Sequence, residues 1–575
     1  MVLNSEEEKN KYTKMMIRKN TKWGLLLAIF SLVACNNAED IANGKTADYS
    51  KVSINIIEGY YEDLTTTTRV GTNNQKLEDL PAVSQISDCS ISTCVEGDNG
   101  TSQDAIIKTR AITTPTHYKV RVYEGSTKVG EFSGVIDNNN FTPDAGSSNH
   151  LRLKRNTTYT FVCFNDDVVS NGDNLEVSLG KAETARIGLS TFTTSAENTT
   201  EKIKIIAKHA GARVRTKIMG YKHFVKEFKA TLSSTTADIP TKVSFNPLTN
   251  RYTTLSSDAF PAVENNSPLS SEEKYRGSNW GGYLGFTSSG PWHYVLPGTN
   301  VKHLQMDITE GQIYWKNIVG NIPRLVSSDY MVNANGTYSA EIRTKPVYTY
   351  LFSDGTTGSL SANPNKTAVA VVVDADQRLA AAIEEVGNGA KYIWQTEKYG
   401  EIPAAAKIIG AANWVSYLDY TFSNGESGYD NTWDASTSSS IVEGNKVRGE
   451  NEDFPAFYAA AHFVPSGGVT GSLVGKKWFL PSALDYFYAV VRLGFTEKSE
   501  IKGVYRAYNI YGILFEKAFT QAGGKPFAND VNTRDFWTST AIGGDGVCPD
   551  FYFIGTDFGS RKIHTKKKVR AFIKY

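Results

Sequence analysis

The chain has 575 residues, of which 21% are charged, and its 61 basic and 60 acidic side chains leave a formal net charge of +1. Binding to nucleic acid or to an anionic membrane surface typically requires an excess of positive charge, which a nearly neutral chain lacks. Neither is therefore predicted as a partner. The length predicts roughly two to four domains, and the 48 glycines and 30 tyrosines favour strands and turns over helices.

The first predicted element is an apolar run, Trp23–Ala34, which follows a basic segment. It is too short to cross a bilayer core of ~30 Å as a helix, so residues 1–34 are predicted to be a signal peptide. Leu32–Cys35 resembles the lipobox of bacterial lipoproteins, which implies that Cys35 is lipidated (palmitate) and becomes the mature N-terminus at the outer membrane. The alternative is an ordinary secretory signal in which Cys35 is incidental.

A tether and a long series of strands are predicted next. Residues 35–50 are small and polar, and Val52–Ile57 then alternates apolar and polar residues as a half-buried strand does. A Thr-rich segment ending in Arg69 follows. Further strands are predicted at Tyr118–Tyr123, Gly130–Ile136, Thr158–Phe164, Ala185–Leu189, Lys202–Ala207, Phe228–Ser233, Thr241–Asn246, Gly282–Phe286, His293–Leu296, Lys302–Ile308 and Gly336–Thr344. Their short, turn-separated spacing predicts two tandem β-sandwiches, residues 51–215 and 216–346.

The cysteines within this region give one structural prediction. Cys89 and Cys94 lie five positions apart in a polar, turn-rich segment, so a disulfide between them is predicted for an oxidising compartment. Cys163 is predicted to be a buried small hydrophobe. The sequence contains no CxxC pair, so no structural zinc site is predicted. No cofactor is predicted either.

From residue 347 to residue 575 the sequence predicts a separate α+β domain. Gln377–Val386 is predicted to be a helix. Trp478–Pro481 predicts a buried strand that ends at a proline, and Ser482 is placed to cap a helix over Ala483–Leu493. Val569–Ile573 predicts the closing strand.

The sequence contains no recognisable catalytic constellation. Its eight histidines are scattered, with no HExxH and no i, i+4 pair, and Gly471–Lys477 departs from the phosphate loop in spacing. Glu384 and Glu385 are adjacent and do not face one site as a carboxylate pair. We therefore predict a protein that is not an enzyme.

The region before residue 347 resembles the fimbrillin family of Bacteroides-type bacteria, whose members are lipoprotein precursors of pilus subunits. The resemblance rests on the lipobox, on the strand Val52–Ile57 followed by Arg69, on Tyr294–Thr299 leading into Leu304–Ile308, and on Asn335–Tyr338. It implies a mainly β fold with two transthyretin-like β-sandwich domains. It also implies removal of the first strand by a protease that cleaves after arginine.

The region from residue 347 resembles a C-type-lectin-like domain found on surface proteins of the same bacteria. The matching segments are Tyr350–Thr356, Ala368–Val373, Gly428–Trp433, Phe454–Phe457, Gly475–Ser482, Phe536–Thr540 and Val569–Phe572. The calcium-binding motifs of C-type lectins are absent from the sequence, so no metal is predicted. If a ligand binds, the loops around Tyr429, Asp430 and Trp433 and around Trp537 and Asp550 are the predicted place, although most of these aromatics are expected to serve the core.

Together these features predict a pilus subunit of the cell surface. Cleavage between Arg69 and Val70, with Arg110–Ala111 as the second choice, would empty a groove that a donor strand from the next pilin fills; Arg69 as a plain loop residue is the alternative. Because the C-terminal domain replaces a donor strand, a tip adhesin with a ligand on a host or bacterial surface is predicted. The alternative function is an unpolymerised outer-membrane lipoprotein that binds glycans or host proteins through its C-terminal domain.

Overall fold

The structure is a computed structural model of the chain. It describes residues 49–62, 84–86, 89–97, 109–110, 112, 114–137, 140–147, 153–196, 200–222, 224–269, 272–276, 283–401, 403–404, 408–409, 425–438, 446–495, 512–527, 536–552 and 555–575. The predicted signal peptide, Cys35, Arg69 and Val70 lie outside these residues.

The described residues are mainly β, as predicted. The strands of the first half are β1 (Tyr49–Gly59), β2 (Ser84–Ile86), β3 (Cys89–Gly97), β4 (Thr109–Arg110), β5 (Thr116–Glu124), β6 (Thr127–Asp137), β7 (Asn140–Pro143), β8 (Leu153–Lys154), β9 (Thr158–Asn165), β10 (Val169–Asn171), β11 (Asn174–Ser178), β12 (Arg186–Thr193), β13 (Thr200–His209), β14 (Ala212–Gly220), β15 (Lys226–Ser234), β16 (Ile239–Asn246), β17 (Arg251–Asp258) and β18 (Val263–Glu264). Those of the second half are β19 (Glu272–Arg276), β20 (Tyr283–Ser289), β21 (His293–Val295), β22 (Leu304–Ile313), β23 (Lys316–Asn317), β24 (Gly320–Ile322), β25 (Thr337–Pro346), β26 (Tyr350–Phe352), β27 (Thr357–Gly358), β28 (Ala368–Asp374), β29 (Leu379–Ala382), β30 (Lys391–Tyr392), β31 (Ile408–Ile409), β32 (Trp478–Phe479), β33 (Ala541–Ile542), β34 (Asp545–Tyr552), β35 (Gly555–Arg561), β36 (Lys567–Lys568) and β37 (Phe572–Lys574).

The α-helices of the described residues all lie in the C-terminal region. They are α1 (Gly428–Trp433), α2 (Pro455–Ala461), α3 (Ala483–Leu493) and α4 (Gly512–Thr520). None of the helices in this part of the chain combines the length and the apolar character needed to cross a bilayer.

The chain divides into two compact units. The first consists of Met1–Glu62, Asp104–Gly211 and Val243–Thr253, and the second of Asp63–Gln103, Ala212–Lys242 and Thr254–Tyr575. The strands β2 and β3 therefore belong to the second unit, although they precede most of the first unit in the sequence. The reason is that β3 pairs antiparallel with β25 over its whole length, from Cys89↔Pro346 to Gly97↔Tyr338.

The first unit is built around a nine-stranded sheet of order β4-β1-β13-β12-β9-β5-β6-β7, with β8 paired to β1. It also contains β10, β11 and residues 243–253 of the β16–β17 hairpin, which belong to a four-stranded sheet. A core cluster of this unit consists of Ile112 and of apolar residues on strands of the large sheet: Ile56, Tyr118, Val120, Val122, Ile136, Leu153, Tyr159, Phe161, Cys163, Ile203, Ile205 and Ala207. Cys163 is fully buried there, as predicted.

The second unit contains several sheets. One has the order β19-β20-β14-β25-β3-β2 with β21 on β14, and another the order β18-β15-β22-β23 with β24 on β22. A further sheet, of order β27-β26-β28-β29-β37-β32, separates two apolar clusters in the C-terminal region. Helix α3 packs in one of these clusters and helix α2 in the other.

Two local predictions in the C-terminal region have opposite outcomes. The helix after Pro481 is confirmed: α3 begins behind Ser482, whose hydroxyl accepts a hydrogen bond from the Asp485 amide at 3.1 Å. The predicted helix Gln377–Val386 is wrong, because Leu379–Ala382 is a fully buried strand between β28 and β37.

The predicted disulfide between Cys89 and Cys94 is also wrong. Both residues lie on the single strand β3, and neither takes part in a disulfide. Five residues of extended chain span about 16 Å, whereas disulfide-bonded Cα atoms lie within about 7 Å of each other. The Cys94 thiol instead donates to Glu341 Oε2 on β25 at 3.6 Å.

Candidate functional site

The candidate site is the place of β1 in the large sheet of the first unit. β1 runs parallel to β13 over eight residue pairs, from Lys51↔Thr200 to Glu58↔Ala207. Apart from β13, the strands that pair with β1 among the described residues are the short β4 and β8, over two residue pairs each. Loss of β1 would therefore expose one long edge of β13, with its backbone N–H and C=O groups.

The side chains of β1 help to close the core beneath the sheet. Ile56 is 4% exposed, and the partly buried Val52 and Ile54 pack against the same cluster. These three residues alternate along the strand, so they share the face that meets the core. Removal of β1 would thus open an apolar groove along β13.

The end of β1 carries a buried polar cluster. Glu58 is 5% exposed, and its Oε1 accepts a hydrogen bond from the Tyr118 hydroxyl at 3.0 Å, while Oε2 lies 3.6 Å from Arg186 Nε. Arg186 Nη1 also donates to the carbonyls of Gly59 at 2.6 Å and Ala207 at 3.5 Å. Burial, together with the charge of Glu58, holds the pKa of Tyr118 well above its ordinary value.

The residues directly after β1 are held against the same unit. The Tyr61 ring stacks on the His209 ring at 3.5 Å between centroids, and its hydroxyl donates to the Ala182 carbonyl at 3.5 Å. Glu62 Oε1 lies 3.7 Å from Lys208 Nζ. The chain therefore leaves β1 along an ordered path toward the segment that contains Arg69.

The second predicted cleavage position lies on a short edge strand of the sheet. Arg110 belongs to β4, where it is the Cα partner of Glu58. A protease needs an extended, accessible segment, which a paired strand does not offer until the pair opens. Cleavage after Arg110 would therefore require the pair of β1 and β4 to open first.

The predicted ligand loops of the C-terminal region include two tryptophans that anchor the fold. The Trp537 side chain is fully buried, and its indole N–H donates to the Tyr392 carbonyl at 2.8 Å. The Trp433 indole N–H donates to the Trp478 carbonyl at 2.7 Å, and Lys477 Nζ lies 4.2 Å from its ring centroid. Both indole N–H groups are thus engaged with the backbone of the fold rather than directed at a ligand.

The other residues of these loops are placed on regular elements. Tyr429 and Asp430 lie on α1, and Tyr429 packs edge-on against Phe479 at 5.6 Å. Asp550 lies on β34, opposite Asp557 of β35. The structure therefore gathers Tyr429 and Trp433 on one short helix.

A cavity that the sequence did not predict lies elsewhere in the C-terminal region. It has a volume of about 830 Å³ and is lined by Glu384, Glu385, Val386, Gly387, Asn388, Tyr392, Tyr458, Ala459, His462, Phe463, Val464, Ser466, Gly523, Gly524 and Lys525. The rings of Tyr458 and His462 stack at 4.0 Å, and Glu384 Oε2 accepts from the Ser466 amide at 3.0 Å. The only sequence signal for it is the i, i+4 spacing of Tyr458 and His462 at α2.

In the described residues, no group of three or more His, Cys, Asp or Glu side chains is arranged to hold a metal ion.

Comparison with known proteins gives only distant structural likenesses. No protein family profile and no curated protein match the chain. A fimbrial protein from Bacteroides ovatus ATCC 8483 is 9% identical, with a TM-score of 0.20, over 92% of this chain and 100% of that chain. A fimbrial protein from Bacteroides vulgatus ATCC 8482 is 11% identical, with a TM-score of 0.23, over 42% and 92%. A candidate cell adhesion protein from Bacteroides uniformis ATCC 8492 is 11% identical, with a TM-score of 0.25, over 41% and 92%. These values are too low to assign the function of this chain.

Proposed function

We propose that the chain is a surface-displayed pilus subunit that accepts a β-strand from its neighbour after a protease has removed β1. The observation that carries the proposal is the placement of β1. It pairs with β13 over eight residue pairs and completes the core with three apolar side chains, and its other partners among the described residues are short strands. Such a strand is replaceable by one of the same pattern, because main-chain hydrogen bonds supply the pairing and alternate side chains fill the groove.

The strand β37 lies inside a sheet of the C-terminal region. β37 is paired with β29 on one side and with β32 on the other, and Phe572 and Ile573 are fully buried. A strand held inside its own sheet is not available to a neighbouring subunit. The proposal makes this chain an acceptor of a donor strand and puts it at the tip of the pilus, with its C-terminal region toward a host or bacterial surface. Before cleavage, lipidated Cys35 would hold the precursor at the outer membrane.

The test is the mature N-terminus of the protein in assembled fibres. We expect wild-type chains in fibres to begin at Val70. We expect Arg69→Ala to leave chains that begin at Cys35 and are missing from fibres. Arg110→Ala is the matched control and should assemble normally. Wild-type fibres built from chains that still begin at Cys35 would contradict the proposal.

A second candidate function is supported by the cavity beside α2. The stacked rings of Tyr458 and His462 offer an aromatic surface, and the Glu384 carboxylate at the same cavity offers hydrogen-bond acceptors. Sugars present C–H faces to aromatic rings and hydroxyls to carboxylates, so this combination fits a glycan. The function would then be that of a glycan-binding surface lipoprotein.

A glycan array with the full chain tests this second candidate. For the glycans that the wild type binds, we expect Tyr458→Ala and His462→Ala to lower the affinity at least tenfold. The thermal unfolding temperature should stay nearly unchanged. Tyr60→Ala, which removes an exposed tyrosine from the first unit, serves as the control and should bind like wild type. Equal binding by all variants would place the glycan elsewhere.

A further inference from the structure

We infer that the strand entering the groove left by β1 must carry a carboxylate at the position that Glu58 fills in the precursor. The inference rests on the proposed function and adds the chemistry of the partner to it. It names one required side chain in a donor strand that is otherwise defined only by alternation of apolar residues.

The groups that recognise this carboxylate belong to the acceptor and not to β1. Tyr118 lies on β5 and Arg186 on β12, and their side chains are 0% and 6% exposed. Both remain in place when β1 leaves. Arg186 is further fixed through its backbone amide, which donates to Asn165 Oδ1 at 2.9 Å. The recognition site is therefore preformed within the first unit.

Departure of β1 removes an ion-pair partner and a hydrogen-bond acceptor from Arg186, and a hydrogen-bond acceptor from Tyr118. Arg186 loses the Glu58 carboxylate and the Gly59 carbonyl, and Tyr118 loses Glu58 Oε1. Removing the carboxylate partner of a buried guanidinium strongly lowers the stability of the folded state. Any incoming strand restores a backbone carbonyl at the position of Gly59, but only its side chain can restore the carboxylate.

The geometry favours a carboxylate over other polar side chains. The two oxygens of Glu58 face two different groups: Oε1 accepts a hydrogen bond from the Tyr118 hydroxyl, and Oε2 forms the ion pair with Arg186. A glutamine at this position offers one oxygen and turns its NH₂ group, a donor, toward one of two donors. An aspartate keeps both oxygens but is shorter by one methylene group, so an intermediate affinity is expected.

The acidic position also sets the register of the donor strand. Ile56, Ile54 and Val52 precede Glu58 at alternate positions and pack against the core. The donor strand is thus defined by three alternating apolar residues followed, two positions later, by an acid. A slip of one residue moves all four side chains to the opposite face, so the buried donors reject the wrong register.

A peptide exchange experiment tests the inference. The full chain is cleaved after Arg69, its β1 fragment is displaced by a fluorescent peptide of residues 49–62, and affinity is measured by anisotropy. Compared with this peptide, we expect Glu58→Gln to bind at least tenfold more weakly and Glu58→Asp to bind with intermediate affinity. Asn55→Gln, a change at an exposed position of the same strand, is expected to bind like the parent peptide.

The outcomes separate the two proposals. Binding of the Glu58→Gln peptide as tightly as the parent peptide overturns the requirement for an acid and leaves strand exchange intact. No binding by any peptide overturns strand exchange itself. Because the variants are made in the peptide, the folding of the acceptor is the same throughout. An Arg186→Gln acceptor that no longer distinguishes the parent from the Glu58→Gln peptide would assign the preference to Arg186.

Discussion

His117 is a single residue that contacts aspartates of two loops in the first unit. Its Nδ1 lies 2.7 Å from Asp166 Oδ1 and its Nε2 lies 2.8 Å from Asp144 Oδ2, with the side chain 24% exposed. The hydrogen bond with Asp144, reinforced by Asp166 and opposed by burial, raises the pKa of the imidazole above its ordinary value. Asp144 in turn has a lowered pKa, because it accepts from the Ser133 hydroxyl and from His117. Folding therefore shifts the protonation equilibrium of His117 toward the imidazolium.

This raised pKa predicts a pH dependence of stability. The stabilisation from protonated His117 is fully present below the unfolded pKa of about 6.5 and is lost as the pH rises through the folded pKa. Between pH 6 and pH 8.5 we expect the thermal unfolding temperature of wild type to fall more than that of His117→Gln. The measurement is differential scanning calorimetry at both pH values, with His462→Gln as the control. A constant difference between wild type and His117→Gln would refute the assignment.

At the scale of elements, one buried carboxylate joins the starts of two helices. Asp485 Oδ2 accepts from the Ser482 amide at 2.8 Å, which completes the capping box of α3, and from the Gly428 amide at 2.9 Å at the start of α1. Gly428 is needed there, because a Cβ would lie 2.4 Å from Ser482 N and 2.5 Å from Leu480 O. The carboxylate thus ties α1 to α3 through backbone donors.

This arrangement predicts unequal costs for two neighbouring substitutions. Ser482→Ala removes the hydroxyl cap and should lower the free energy of unfolding by about 1 kcal/mol. Asp485→Ala leaves two buried amides without their acceptor and should cost about 2–4 kcal/mol. Urea denaturation of both variants checks the order. Equal losses would show that Asp485 contributes only to its own helix.

Local chemistry explains why some elements were predictable from the sequence and others were not. The cap at Ser482 depends on residues within one turn, so the sequence alone identifies it. Leu379–Ala382 has strong helix formers but forms a strand, because β28 and β37 pair with it on both sides and bury it completely. The disulfide between Cys89 and Cys94 was wrongly predicted for a related reason. The polar residues around them suggested a turn, whereas the whole segment pairs with β25 as a strand.

For the whole molecule, the strands were predictable but their partners were not. Alternation of apolar residues identified Val52–Ile57 within β1 and Lys202–Ala207 within β13. Their parallel pairing joins positions roughly 150 residues apart, and no local pattern specifies such a contact. The cluster of Glu58, Tyr118 and Arg186 was missed for the same reason, because its members come from three strands that only the completed sheet brings together.

The parallel pair of β1 and β13 also has a consequence for competition between strands. While β1 belongs to the same chain, its tether presents it to the groove at an effective concentration on the order of millimolar. A strand from another subunit at micromolar concentration then competes with an effective concentration of β1 that is about a thousandfold higher, even if both strands bind equally well. A single peptide-bond cleavage removes this advantage without altering any contact in the groove. In the proposed assembly, proteolysis therefore changes the competition between two strands, and the affinity of the groove itself stays the same.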